Sequence, residues 1–189
     1  DDRMSWMGVD IGSTGCKAVV FDDAGRELSA AYREYPVIAP REGWAEIDSR
    51  RVLSLGLEVV RAAARGCGKD RVAGLCVSSQ GEAFTPVGPG GEVLGNAMLS
   101  FDTRAARQAE EWSRKFGPWR LYGMTGHTAH PMFTLFKLLW LRRNRGRAWK
   151  KAARFHCFED LLHGALGVEP AMSWPLAGRT MLFNVRTHR

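Results

Sequence analysis

An acidic residue followed by glycines and hydroxyls is the most chemically suggestive pattern in this chain: Val9-Asp10-Ile11-Gly12-Ser13-Thr14-Gly15-Cys16-Lys17. Apolar residues flank it on both sides, so the segment reads as a turn between two strands with a carboxylate at its entrance. Such a turn can cradle phosphate. Glycines let backbone N–H groups approach phosphate oxygens, the hydroxyls of Ser13 and Thr14 donate further hydrogen bonds, and the Asp10 carboxylate can hold hydrated Mg²⁺ near a transferring group. A hairpin that needs glycines only for positive φ would show the same spacing, so the segment alone leaves both readings open.

The flanking sequence supplies the scaffold. Strands are predicted at Trp6 to Asp10, Lys17 to Phe21 and Glu27 to Tyr35, where apolar and β-branched residues cluster. Asp22-Asp23-Ala24-Gly25 is rich in turn formers and joins the last two as an antiparallel hairpin. Asp48 can cap a helix through Ala64, on which Val52, Leu55, Val59 and Ala62 form one apolar stripe, and Gly66 and Gly68 stop it. Val72 to Ser78 reads as a buried strand flanked by helices, and Ala83 to Val87 as a strand leading into the Gly88-Pro89-Gly90-Gly91 turn. A strand near Ala97 to Leu99 and helices over about Thr103–Phe116, Phe133–Arg143 and Glu159–Leu166 complete the pattern. Strands first paired as a hairpin and later alternating with helices imply an α/β fold, a mixed sheet with helices on its faces. One domain is the starting expectation for 189 residues of ordinary hydrophobic content.

Composition narrows the function classes. The net charge of +7 would suit a polyanion, but much of it lies in Arg142, Arg143, Arg145, Arg147, Lys150, Lys151 and Arg154, directly after an apolar run. That stretch reads as a helix end and its solvated continuation, not as a nucleic-acid interface. No apolar stretch approaches the ~20 residues that span a bilayer, and Asp1-Asp2-Arg3-Met4-Ser5-Trp6 opens no secretion leader. Cys16, Cys67, Cys76 and Cys157 form no C-x-x-C pair, so neither a zinc site nor a disulfide framework is indicated and a reducing cytoplasm fits. His127 and His130 have no third candidate ligand nearby and read as loop or pocket-lining residues.

Several segments, in order along the chain, resemble the FGGY carbohydrate kinases, members of the actin-like ATPase (ribonuclease H-like) fold. Val9 to Lys17 is similar to their first phosphate loop, and Gly43-Trp44-Ala45-Glu46-Ile47-Asp48 to their W-x-E-x-D segment. Gly74 to Glu82 resembles the strand whose terminal Gln opens the sugar pocket. Ser100-Phe101-Asp102-Thr103-Arg104 is similar to W-x-D-x-R, Thr125-Gly126 to the T-G segment and Lys137-Leu138-Leu139-Trp140-Leu141 to the K-L-L-W-L helix. Ala177-Gly178-Arg179-Thr180-Met181-Leu182-Phe183-Asn184 closes the series.

The resemblance implies transfer of the ATP γ-phosphoryl group to a hydroxyl of a sugar or polyol, with Mg²⁺ as cofactor. Asp10 would organise Mg²⁺ through water, while Gly12, Ser13, Thr14, Gly15 and Lys17 would bind phosphate. Gln80, Gly81 and Glu82 would meet the sugar hydroxyls. Asp102 and Arg104 would support that pocket; a capped helix start with an exposed ion pair is the alternative reading of those two. The expected extent is residues 4–189, an N-terminal kinase domain without the lobe that carries the adenine site, inactive alone. Uncovered apolar sheet surface then predicts association, a homodimer being the simplest form.

Two positions depart from the pattern. The family's general base, an Asp four residues before the Ala of its A-S/G-x-T-M segment, is Ser173 here, and a serine hydroxyl cannot take a proton as a carboxylate does. Glu169 is near enough in sequence to be considered as a stand-in. Ser100 replaces the family's tryptophan and removes an apolar face from the sugar pocket. The competing class is therefore a non-catalytic carbohydrate-binding or regulatory protein, favoured by Ser173 and opposed by the intact Asp10 loop. Another ATPase branch of the same fold is a third reading, against which Gln80 to Glu82 and Asp102 to Arg104 argue.

Overall fold

The computed structural model describes residues 4–188; Asp1–Arg3, part of the segment read as opening no leader, and Arg189 lie outside the described residues. A four-stranded sheet in the order β3-β2-β1-β5 forms the centre, built from β1 (Met4–Ile11), β2 (Gly15–Asp22), β3 (Glu27–Glu34) and β5 (Arg71–Ser79). β1 and β2 pair antiparallel, as do β2 and β3, whereas β1 and β5 run parallel. The sheet is thus mixed, with an antiparallel hairpin at its start. Two-residue β4 (Glu46–Ile47) precedes helix α1 (Ser49–Gly66). Asp48 caps α1 by accepting hydrogen bonds from the N–H groups of Arg50 and Arg51 at 2.9 and 3.2 Å, the satisfaction of free N-terminal donors that its position predicts.

β1 alternates strictly. Ser5, Met7, Val9 and Ile11 are buried while Met4, Trp6, Gly8 and Asp10 are exposed, because only one sheet face carries helices. On that face α1 contributes Val52, Gly56, Val59 and Ala63, and Gly56 faces the Ile11 and Leu162 methyls, which a Cβ there would meet in ordinary contact at 3.8 and 3.9 Å. The helix α6 (Phe158–Ala165) joins them through Phe158, Leu161 and Leu162. On the opposite face Trp6 and Phe21 remain exposed.

This corrects the expectation for Val72 to Ser78. The segment is the edge strand β5, with Leu75, Cys76 and Ser78 exposed, rather than a strand covered on both faces. A short apolar run records hydrophobicity but not which neighbours arrive, so an edge and a centre strand look alike in it.

The rest of the chain forms a second layer with its own core of Phe84, Phe133, Phe136, Trp140, Leu141 and Met181. It comprises β6 (Thr85–Val87), β7 (Ala97–Met98), α2 (Ala106–Phe116), α3 (Pro118–Thr125), α4 (Thr134–Asn144), α5 (Gly146–Lys151), β8 (Arg154–His156), and α7 (Trp174–Arg179) after α6. β4 pairs with β7 and β6 with β8. The helix expected from Thr103 begins at Ala106, because the Asp102 carboxylate accepts the Arg104 N–H at 3.0 Å and holds residues 102–104 in a turn. Helix α3, not expected, had legible signals: Pro118 stands in its first turn and Gly126 ends it in the left-handed conformation. The basic stretch is exposed along α4, α5 and β8. No described helix is long and apolar enough to cross a membrane.

Candidate active site

The turn between β1 and β2 is held from beneath. Its Gly12 N–H donates to the Gly15 carbonyl at 2.9 Å, and the Tyr35 N–H donates to the Thr14 carbonyl at 3.1 Å. The Tyr35 hydroxyl lies 2.7 Å from the Gly12 carbonyl oxygen and 2.9 Å from that of Gly15. Burial raises the Tyr35 hydroxyl pKa well above its ordinary value, so it remains a protonated donor. With the carbonyls engaged inward, the N–H groups of Ser13 and Thr14 have no partner among the described residues. Outward N–H groups in a turn make a concavity suited to an anion.

Neither Gly12 nor Gly15 has positive φ, which removes the reading that they serve only to turn a hairpin. At Gly15 a Cβ would stand 2.6 Å from the Tyr32 Oη and 2.8 Å from the Arg33 carbonyl, so close packing requires the glycine. Tyr35 escaped the sequence reading as a site residue; its one signal was an aromatic at a strand end before Pro36.

Asp10 is exposed at the end of β1 and faces Lys17 in the β1/β2 register. No ion pair closes between them, and the Asp10 carboxylate has no hydrogen-bond partner among the described residues. A free carboxylate beside unpartnered N–H groups is a donor set that fits a hydrated Mg²⁺ with its phosphates, since that ion keeps several waters and takes few protein ligands. The expected phosphate-binding residues thus come together at one end of the sheet.

Gln80 ties this loop to the next segment. Its N–H donates to the Ile11 carbonyl at 2.8 Å and its Nε2 to the Gly12 carbonyl at 2.9 Å, leaving Oε1 buried and unpartnered. A buried amide oxygen without a donor is uncommon unless something else binds there. Glu82, 3% exposed, takes φ of 63°, a left-handed conformation that costs a non-glycine residue about 1–3 kcal/mol. Two contacts hold it there: its carbonyl accepts the Thr134 hydroxyl at 2.9 Å, and its Oε1 is in ion-pair contact with the Arg179 guanidinium, at an angle without hydrogen-bond geometry. The Arg179 stem passes over Gly81, where a Cβ would meet it at 3.4 Å.

Beside this pair a cavity of about 310 Å³ is lined by Ser78, Ser79, Gly81, Glu159, Ser173 and Arg179, with apolar groups completing the wall. Ser173 is the N-cap residue of α7, yet its hydroxyl caps no helix N–H. Instead it donates to Glu159 Oε2 at 3.0 Å. Glu159 and Asp160 are adjacent in the first turn of α6 and diverge. Asp160 accepts the Cys157 N–H at 3.0 Å to close a capping box, and burial raises its pKa; the Glu159 carboxylate turns to the cavity. Glu169, considered from sequence as a stand-in, is exposed beyond α6 and does not line the cavity. A larger cavity, about 630 Å³, opens beside the Gly88–Gly91 turn and includes none of the expected site residues.

Asp102 and Arg104 do something different. Their side chains are 0% and 3% exposed. The Arg104 Nε and Nη2 donate to the Asp102 carboxylate at 2.6–2.9 Å, Nη1 meets Glu46 at 2.7 Å, and the guanidinium lies 3.7 Å from the Trp44 ring centroid. Asp102 also accepts the Ala45 N–H at 2.7 Å. The expectation of an exposed ion pair at a capped helix start is overturned: the pair is buried, and α2 has its N-cap at Ala105 with no side-chain cap. Its bonds run to the Trp44-Ala45-Glu46 segment and not to Gln80–Glu82.

Lys137 of α4 is 0% exposed, and its Nζ donates to the Met98 carbonyl at 3.3 Å. Burial lowers its pKa to about 8, against the pull of Glu82 and Asp102. Its sequence position within an apolar helix gave no hint of this isolation. His127 packs on the Phe133 ring at 4.7 Å, and burial and Arg179 lower its pKa.

A mixed α/β sheet opened by an antiparallel hairpin and backed by helices is the actin-like ATPase fold, shared with solved sugar kinases. A family model described as "FGGY family of carbohydrate kinases, N-terminal domain" matches residues 5–189. The chain belongs to the FGGY family of carbohydrate kinases. The L-xylulose/3-keto-L-gulonate kinase of Escherichia coli is 30% identical over 163 residues, 85% of this chain and 33% of that protein. A glycerol kinase of Gloeobacter violaceus is 30% identical over 184 residues, 96% of this chain and 37% of that protein. The chain spans about a third of the length of these curated relatives. In fold it is similar to a ligand-bound xylulose kinase from Lactobacillus acidophilus, with TM-score 0.91 and 24% identity over 98% of this chain and 38% of that one. It is similar also to Plasmodium falciparum glycerol kinase with ADP, with TM-score 0.91 and 18% identity over 99% of this chain and 39% of that one.

Proposed function

We propose that the chain is the phosphate-facing and sugar-facing part of an ATP-dependent kinase that phosphorylates a hydroxyl of a sugar or polyol, and that it does not turn over by itself. The observation that carries the reading is the Gln80 side chain, whose amide donates to the Gly12 carbonyl of the phosphate loop while its other end stays unpartnered. One residue thereby joins a phosphate-ready turn to a segment with a free acceptor, and a kinase needs its acceptor hydroxyl and its phosphoryl donor side by side. The relatives named as glycerol and xylulose kinases support the acceptor class.

In this reading Ser13 and Thr14 receive phosphate oxygens on their N–H and hydroxyl groups, with Gly12 and Gly15 giving the backbone room. Lys17 and Arg179 add positive charge. Asp10 holds hydrated Mg²⁺, which when bound neutralises charge on the transferring phosphoryl group. Gln80 Oε1 and the Glu82 carboxylate accept hydrogen bonds from the substrate hydroxyls, Arg179 fixing the latter. Asp102 and Arg104 keep the strand-to-helix turn rigid behind the pocket.

A non-catalytic carbohydrate-binding role is the second reading, favoured by Ser173, a hydroxyl where the family has its base. The two separate on one experiment with the polypeptide its gene encodes: ADP formation with a panel of ketoses, aldonates and glycerol, alongside calorimetric binding of the same compounds. Acceptor-dependent ADP release is expected, and Asp10→Asn is expected to lower it about 10–100-fold, the usual cost of losing a carboxylate that holds a metal through water. Binding of a polyol without turnover selects the second reading, and neither binding nor turnover overturns both.

A further inference from the structure

We infer that Glu159 replaces the missing base, acting through Ser173 as a two-residue proton relay. The inference rests on the kinase reading above. Phosphoryl transfer to an alcohol releases one proton, and a group near the acceptor hydroxyl has to receive it. Ser173 cannot be the final acceptor, because a serine hydroxyl already carries its proton and holds a second one poorly.

Three observations single out Glu159. It supplies the only carboxylate among the lining residues of the 310 Å³ cavity that also contains Ser173, Gly81 and Arg179. It has no cation partner among the described residues, whereas Glu82 is paired with Arg179 and Asp160 is occupied by the cap of α6. And it is 7% exposed while receiving the Ser173 hydroxyl at 3.0 Å, so the serine proton already points at the carboxylate. The Ser173 hydroxyl oxygen accepts no hydrogen bond among the described residues, which leaves it free to accept one from whatever occupies the cavity. A serine oriented by a neighbouring carboxylate is arranged to accept a proton on one side while giving its own away on the other.

The step balances as follows. As the substrate oxygen forms its bond to the γ-phosphorus of ATP, the bond from that phosphorus to the β-bridging oxygen breaks and its electron pair leaves with ADP. The substrate hydroxyl proton passes to Ser173 Oγ as the Ser173 proton passes to Glu159 Oε2, leaving Ser173 unchanged and Glu159 neutral. Glu159 then returns its proton to solvent by the same route after the phosphorylated product leaves. Glu159 acts through the serine, which is the group that touches substrate.

The test uses the polypeptide its gene encodes, with Glu159→Gln, Ser173→Ala, Ser173→Asp and Glu159→Gln/Ser173→Asp, assayed for kcat, for the KM of the best polyol and for polyol binding by calorimetry. Glu159→Gln is nearly isosteric, and Ser173 lies exposed at the start of α7, so Ser173→Ala leaves the fold intact even where a buried change does not. Both single variants are expected to lose about 10²–10⁴-fold in kcat, the usual worth of a general base, with polyol binding retained. The double variant, which places a carboxylate at the serine position, is expected to recover most of the loss; a merely structural Glu159 gives no such rescue. Wild-type turnover with Glu159→Gln or Ser173→Ala at full kcat overturns the relay and leaves the kinase reading standing. Polyol bound without any wild-type turnover overturns the relay and selects the non-catalytic reading, and a wild type that binds no polyol overturns the kinase reading itself.

Discussion

Two polar regions of this chain use the same residue types to opposite ends. In the Asp102–Arg104–Glu46 cluster each charge is bonded inside the protein: a buried carboxylate takes the guanidinium and the Ala45 N–H, and the guanidinium stacks on Trp44. Around the β1–β2 turn, by contrast, Asp10 is unpaired, Gln80 Oε1 is buried without a donor and the Ser13 and Thr14 N–H groups are open among the described residues. Burial favours polar groups whose hydrogen bonds are complete, because each incomplete one costs about 1–3 kcal/mol. The first region therefore contributes to rigidity, and the second keeps bonding capacity for a ligand at some expense in stability.

Breaking the complete network should produce the largest effect on stability. Asp102→Ala leaves the Arg104 guanidinium buried with half its partners, a loss of about 3–5 kcal/mol, measurable as a lower midpoint in urea unfolding. Polyol affinity of the molecules that remain folded should be unchanged, and a selective loss of polyol affinity would show that Asp102 belongs to the ligand region after all.

Lys137 lies between the two regions and sharpens the contrast through pH. Its folded pKa of about 8 lies below the ordinary 10.5, so between those values the unfolded chain holds a proton that the folded chain has released. Stability from this residue therefore rises with pH across that window, by up to about 1.4 kcal/mol per unit, and is flat below it. Relative to Lys137→Met, the wild type should gain stability from pH 8 to 10.5, read from paired denaturation curves. A constant difference would mean that the lysine is hydrated in solution.

Tyr35→Phe probes the loop from beneath with the smallest expected change in stability, about 1 kcal/mol for a hydroxyl that serves two carbonyls. The informative readout is hydrogen exchange at Ser13 and Thr14, which should quicken as the loop loosens. Unaltered exchange would show that Gln80 alone fixes the turn.

Much of the fold was legible along the chain. The three N-terminal strands, the Asp48 cap and the long helix after it follow from local rules: alternation, turn formers and a carboxylate before an apolar stripe. Asp10 to Lys17 by itself left a phosphate-cradling turn and a plain hairpin equally open, because glycines at that spacing serve either. The ordered motifs then pointed to the family, which the match over residues 5–189 shows.

Other features depend on segments far apart in sequence, and only folding brings those together. Ser173 and Glu159 meet across two helices, while Glu169, nearer in sequence, stays outside the cavity lining; distance along the chain does not report distance in space. The exposed-cap alternative for Asp102 and Arg104 fails because burial is a property of neighbours, here Trp44, Ala45 and Glu46. The Val72–Ser78 run looked covered for the same reason. Residue type and local spacing set which groups exist and which elements carry them. Which of them are desolvated, paired or left free for a ligand was decided by tertiary packing, since the energies involved depend on what lies within a few ångströms in space.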